Sequence, residues 1–109
     1  MIVTPLRNIG SLAEHDVQRE FAALRERITA GAAQHVVMDF SQLSYFGSSM
    51  LEGLRSLWTV LRQRDGQLAV CSLSPVGTEI LLLAQFDRLF RVRGTVDEAL
   101  AAVAAAEAR

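Results

Sequence analysis

Two short apolar runs constrain this chain more than anything else in it: His35-Val36-Val37-Met38-Asp39-Phe40 and Gln67-Leu68-Ala69-Val70-Cys71-Ser72-Leu73. Each lies between turn signals and lacks polar alternation, so each reads as a strand buried on both faces. Such a strand needs helices on both sides of its sheet. The remaining sequence provides them. Val17, Phe21, Leu24 and Ile28 recur at i, i+4, i+7 and i+11, one face of a helix, with Asp16 as its N-cap and Gly31 as its stop. Met50, Leu51, Leu54, Leu57, Trp58 and Leu61 form the widest stripe, which ends before Gly66. Ser74-Pro75 predicts an N-cap followed by proline at the first helical position, opening a helix that includes Ile80, Leu81 and Leu83. Thr95-Val96-Asp97-Glu98 has the capping-box spacing and opens an alanine-rich last helix. Residues 2–9 read as a short strand in which Pro5 disfavours a central position, and Phe90-Arg91-Val92-Arg93 as another. The order β-α-β-α-β-α-β-α predicts an α/β fold with a mostly parallel sheet and right-handed crossovers. In such sheets function gathers at the carboxyl ends of the strands, which directs attention to the residues after Phe40.

Composition narrows the function classes. With 109 residues the chain is one domain, 1–109. Its formal net charge of -1 gives no electrostatic reason to expect nucleic acid or an anionic membrane as partner. All 11 basic residues are arginine, so Schiff-base and P-loop lysine chemistry are excluded. The single cysteine, Cys71, has no internal partner and suits a reducing compartment. The opening Met1-Ile2-Val3-Thr4-Pro5 has no signal-peptide pattern, and the longest strongly apolar run, 80–84, is too short to span a membrane. The expectation is a cytoplasmic protein without membrane insertion.

The segment Asp39-Phe40-Ser41-Gln42-Leu43-Ser44-Tyr45-Phe46-Gly47-Ser48-Ser49-Met50-Leu51-Glu52 leaves a strand, turns and enters a helix. Ser48 and Ser49 fall at the helix start, where unbonded N–H groups and the positive end of the helix dipole meet. A phosphate on either serine is favourably placed there, and adds about -1.5 to -2 charges. Ser49 and Glu52 also have capping-box spacing, and a serine in this position is more often a cap than a phosphoacceptor. The two roles are compatible. Asp39, at a strand end, reads first as a carboxylate satisfied by loop N–H groups and second as an acid available to a metal or a phosphoryl donor.

Other chemistry fails on geometry. His35 begins the strand that ends near the serines, about 17 Å away at ~3.3 Å per residue, beyond the reach of a general base. His15 lies at the start of the first helix. Gly47-Ser48-Ser49 lacks the Gly-x-Ser-x-Gly elbow, two histidines and one cysteine do not make a zinc site, and no glycine-rich phosphate loop is present. Cys71 sits in an apolar strand and reads as core. A small α/β enzyme using Asp39 and Ser49 therefore lacks a placed base and a cofactor motif. No catalytic residue, metal or cofactor is expected.

Val36-Val37-Met38-Asp39-Phe40-Ser41 followed by Tyr45-Phe46-Gly47-Ser48-Ser49-Met50-Leu51 resembles the signature of STAS domains, the family of anti-sigma factor antagonists, in which an apolar strand ending in Asp precedes an Asp-Ser-Ser-Gly helix start. Gln67-Leu68-Ala69-Val70, Ser74-Pro75, Phe86-Asp87-Arg88-Leu89-Phe90 and Asp97-Glu98-Ala99-Leu100 continue the likeness, which covers about residues 34–103. The resemblance implies a STAS-like fold, a mostly parallel mixed sheet of about four to five strands with about four helices. It implies partner switching: the antagonist binds an anti-sigma factor that is also a serine kinase of the histidine-kinase-like ATPase fold, is released when phosphorylated, and is restored by a PP2C-type phosphatase. The family's acceptor corresponds to Ser49, with Ser48 as the alternative. The implied partner surface comprises Asp39, Ser48, Ser49, Met50, Glu52, Arg55 and Ser56, with the loop at Ser74 beside it.

This chain departs from the motif at two places. Gly47 stands where the family has Asp, and Met50 where it has Gly. The first removes a carboxylate beside the acceptor; the second either docks on a partner or begins the buried stripe. Both favour the alternative reading, a non-phosphorylated STAS scaffold subunit of a signalling or lipid-transport complex. Many members also carry a further strand before the one read at 2–9; without it an exposed sheet edge favours a homodimer.

Overall fold

The computed structural model describes residues 1–4, 14–31, 34–43 and 46–107. The elements are β1 (Ile2–Val3), α1 (Glu14–Thr29), β2 (Val36–Asp39), α2 (Ser48–Gln63), β3 (Leu68–Cys71), α3 (Pro75–Leu83), a 3-10 turn (Phe86–Arg88), β4 (Arg91–Arg93) and α4 (Val96–Glu107). The strands form one sheet in the order β1-β2-β3-β4, and every pairing is parallel. Strands that follow one another in sequence and pair in parallel must be joined by crossovers, which is why a helix separates each pair.

Alternation along the strands distributes the core. Val36, Met38, Leu68 and Val70 share one cluster with Phe21, Ile28, Leu54, Leu57 and Leu61 of α1 and α2. Val37, Ala69 and Cys71 point the other way and meet Ala99 and Val103 of α4. The register Val36↔Leu68, Val37↔Ala69, Met38↔Val70 and Asp39↔Cys71 keeps both faces aligned across the central strands. Two glycines permit close backbone approaches. A Cβ on Gly53 would overlap the Phe21 ring, and one on Gly66 would overlap the Gln34 carbonyl oxygen.

Two sequence expectations change in detail. The strand expected at 2–9 is observed as Ile2–Val3, and Pro5 and the residues following it lie outside the described residues. The helix expected to be capped by Asp16 already begins at Glu14, so Asp16 is its third residue and not its cap. A first turn of Glu14, His15 and Asp16 carries no apolar residue, so hydrophobic periodicity cannot detect it. Gly31 does follow the helix end, with φ +89, the left-handed conformation glycine adopts without strain. The capping-box residues at the last helix do meet: Thr95 Oγ1 accepts from the Glu98 N–H at 3.1 Å, and Glu98 Oε1 accepts from the Thr95 hydroxyl, not its N–H, at 3.1 Å.

Candidate functional site

The carboxyl ends of β2 and β3 lead to the starts of α2 and α3, and aromatic packing sets the two starts side by side. After Asp39 the chain turns sharply: the Phe40 N–H donates to the Cys71 carbonyl at 3.0 Å and the Leu43 N–H to the Phe40 carbonyl at 3.1 Å. Phe40 and Phe46, both buried, pack with ring centroids 5.1 Å apart, which closes the loop and delivers Gly47 to the head of α2. A methyl on Gly77, in the first turn of α3, would stand 3.2 Å from Phe46 Cε1. Phe46 is therefore wedged between the two helix starts.

At the start of α2 the cap residue has no side chain with which to cap. Gly47 is the N-cap residue, with extended backbone (φ -106, ψ -165), and α2 has no acidic residue in its first turn. The Met50 and Leu51 N–H groups reach the Gly47 carbonyl at 3.2 and 3.4 Å. This corrects the expected Ser49–Glu52 capping box. The cap must be non-helical, and Ser49 is already the second helical residue. Ser48, the first, is exposed; Ser49 is only 8% exposed. Met50 is 3% exposed and belongs to the main core, so it begins the buried stripe and is not a docking residue. Farther along α2, Glu52 and Arg55 are exposed as expected, whereas Ser56, expected to be exposed, is half-buried because it lies closer to the core-facing stripe of Leu54, Leu57 and Leu61.

The start of α3 is closed. Ser74 Oγ accepts the Gly77 N–H at 2.9 Å, and Thr78 Oγ1 donates to the Ser74 carbonyl at 3.0 Å. Pro75 follows at the first helical position, as the sequence predicts. Asp39 is engaged internally as well. Its Oδ1 accepts the Ser41 N–H at 3.0 Å, and its Oδ2 accepts the Ser41 hydroxyl at 3.2 Å and the Thr4 hydroxyl at 3.5 Å. That is a carboxylate satisfied by its own loop. At the opposite end of β2, His35 Nδ1 accepts the Gln67 N–H at 2.9 Å. Cys71 is fully buried. Burial pushes its thiol up, the Asp39 charge adds to the shift, and contact with Ser72 opposes it, which keeps the sulfur protonated and unreactive.

A cleft between β1 and α1 is walled by Val3, Val17, Phe21, Leu24, Met38 and Met50, with exposed Glu20 and Arg27 beside it; Asp39 and Ser49 do not line it. Among the described residues no group of three or more His, Cys, Asp or Glu side chains could hold a metal ion. No described helix is long and apolar enough to cross a membrane. Phe46 thus links the segment just before Ser48 and Ser49 to the start of α3, and Asp39 supports the loop that leaves β2. Sequence reading missed the outward apolar face of α3. Val76, Leu82 and Leu83 are 50%, 54% and 78% exposed. The signal was available in the continuous run Ile80-Leu81-Leu82-Leu83, because four consecutive residues cannot all lie on one buried helix face.

Comparison with known proteins agrees with this arrangement. The family described as STAS domain matches residues 4–99. An anti-sigma-factor antagonist (STAS) domain protein from Planctomyces limnophilus superposes with a TM-score of 0.81 at 28% identity, over 94% of this chain and 89% of that one. The solution structure of the protein TM1081 superposes with a TM-score of 0.82 at 16% identity, over 94% and 79% of the two chains. A crystal structure of TM1081, from Thermotoga maritima, gives 0.68 at 20% identity over 92% and 80%. These last two likenesses are of fold.

Proposed function

The chain belongs to the STAS domain family, and from that premise we propose that it is an anti-sigma factor antagonist that works by partner switching. The observation that carries the reading is the glycine-capped start of α2, with an exposed serine at the carboxyl edge of the sheet, in a chain similar to an anti-sigma-factor antagonist domain over nearly its whole length. In this reading the unmodified surface around Ser48, Glu52, Arg55 and the Ser74 loop binds an anti-sigma factor that is also a serine kinase of the histidine-kinase-like ATPase fold. The kinase transfers the γ-phosphoryl group of ATP to a serine oxygen of the α2 turn. The new O–P bond replaces the bond to ADP, which leaves, and the hydroxyl proton passes to the kinase. A PP2C-type phosphatase hydrolyses the ester and restores the serine.

The charge change suffices energetically. The modification adds about -1.5 to -2 charges to a docking surface, and a hundredfold loss of affinity needs only ~2.7 kcal/mol. Ser48 presents its hydroxyl without rearrangement. Ser49 is a substrate only if the first turn of α2 opens. The burial of Ser49 and the absence of an acid at Gly47 support a second reading, a STAS scaffold subunit that never meets a kinase.

Peptide-level mass spectrometry of the protein from its native cells, resting and stressed, separates the two. Phosphate on Ser48 or Ser49 that varies with condition, together with loss of partner capture in Ser48→Asp or Ser49→Asp, is the expected result. Full coverage of residues 41–55 without phosphate in any condition would establish the scaffold reading instead.

A further inference from the structure

Helix α2 carries two stripes. The inner one, Met50, Leu54, Leu57 and Leu61, is 3% exposed or less and belongs to the main core. The outer one runs along a flank of the helix: Ser48, Leu51, Arg55, Trp58 and Arg62, at steps of 3, 4, 3 and 4 residues. Those steps define a seam, the row along which a second helix lays its side chains. Leu51 and Trp58 are half-buried, leaning on the core while part of each stays in water. Ser48, Arg55 and Arg62 are exposed. The guanidinium carbon of Arg62 stands 5.2 Å from the centroid of the Trp58 ring, a cation–π contact that holds its fork of N–H donors at the helix surface. The seam thus bears two cations and no acid. Glu52, the one acid of α2, lies on the neighbouring row, about 60° round the helix from Arg55. Packing α2 on the sheet requires only the inner stripe. A tryptophan between two arginines on the outer one has the composition of an interface hot spot.

We infer that this seam docks an acidic amphipathic helix of the partner protein, whose apolar residues seat on Leu51 and Trp58 and whose carboxylates pair with Arg55 and Arg62. Charge complementarity sets the sign of the partner, and arginine suits carboxylates because it offers them two parallel N–H donors. At 1.5 Å per residue the seam from Ser48 to Arg62 is about 21 Å long, so a partner helix of about 14 residues covers it. This inference rests on the reading of the chain as a partner-binding module and supplies its recognition chemistry. It also accounts for release. A phosphate on Ser48 adds about -1.5 to -2 charges at one end of the seam, where it repels an acidic partner.

The test is a phage library of peptides long enough to span the seam, selected against the full chain. The best peptide, with any tryptophan replaced by phenylalanine, is then titrated against the emission of Trp58, the single tryptophan of the chain. The expected consensus has two or more Asp or Glu residues and large apolar residues at helical spacing, and the peptide changes the Trp58 emission saturably. Arg55→Glu and Arg62→Glu should each bind it about tenfold more weakly, with melting temperatures near the native one because both residues are exposed. The same peptide with lysine in place of its acids should bind the double variant Arg55→Glu/Arg62→Glu and not the native chain. An Arg62 that only shields Trp58 would alter stability without this exchange of specificity. A consensus without acids, no enrichment at all, an unmoved Trp58 emission, native affinity in both arginine variants, or no exchange in the double variant would overturn the inference. Phosphorylation is read separately. Acidic peptides on the seam without phosphate on Ser48 or Ser49 in cells remove the switch and keep the dock, and the converse result removes the dock and keeps the switch.

Discussion

The starts of α2 and α3 occupy equivalent places, each following a central parallel strand, each at the carboxyl edge, and both touching Phe46. One is finished by its own sequence: Ser74 caps, Pro75 sets the first helical φ, and Thr78 ties back to the Ser74 carbonyl. The other is left open, with Gly47 as cap and Ser48 exposed. The closed start is a stability device. The open one forgoes a stabilising contact that a single substitution could provide, at a place where the fold has room for it. A helix start whose cap residue supplies no acceptor, beside one that is capped, accords with the proposed role of that turn in binding a partner.

The largest expected effect comes from the residue the two starts share. Phe46 is 3% exposed, packs on Phe40 and abuts Gly77. Phe46→Ala should cost about 3 kcal/mol or more in urea unfolding. Hydrogen exchange should accelerate both at Met50 and Leu51 and at Gly77 and Thr78. Acceleration at only one start would show that they are independent and would break the comparison.

Next comes the closed start itself. Ser74→Ala removes the acceptor of the Gly77 N–H, and should cost about 1 kcal/mol. If partner capture is unchanged after correction for stability, the Ser74 side chain is a cap only and its loop meets the partner through other atoms; a loss of capture would make the hydroxyl itself a contact. The expected result is unchanged capture, because the hydroxyl is already engaged.

How much of this was legible in the sequence follows from what each feature depends on. The β-α alternation, the buried central strands and the Ser74-Pro75 start depend on local periodicity and local capping chemistry, so 109 residues read in order were enough to find them. The resemblance of 34–103 to the antagonist family carried the serine turn to the right end of α2. Two features were out of reach because they depend on where the helix begins or on how it rolls against the sheet. The two-residue offset that makes Gly47 the cap turned Ser49 from a cap into a buried helical residue and left Ser48 exposed. The roll of α2 buried Met50 and half-buried Ser56. The exposure of Leu82 and Leu83 was within reach, because four consecutive apolar residues cannot all face one core.

The smallest effects sharpen the open start. Gly47→Asp places a carboxylate where the extended backbone allows it to reach the first-turn N–H groups. The gain should be about 0.5 kcal/mol, since glycine is already a tolerable cap, and it should shrink as salt screens the helix dipole. Ser48→Ala is the complementary change. The residue is exposed, so the unfolding free energy should move by no more than about 0.5 kcal/mol in either direction. Equal midpoints in Ser48→Ala and the native chain, set against the loss in Ser74→Ala, would show that two serines at two adjoining helix starts do different work. A cost in Ser48→Ala as large as that in Ser74→Ala would mean that the α2 hydroxyl stabilises the fold, and the case for an open start would end there.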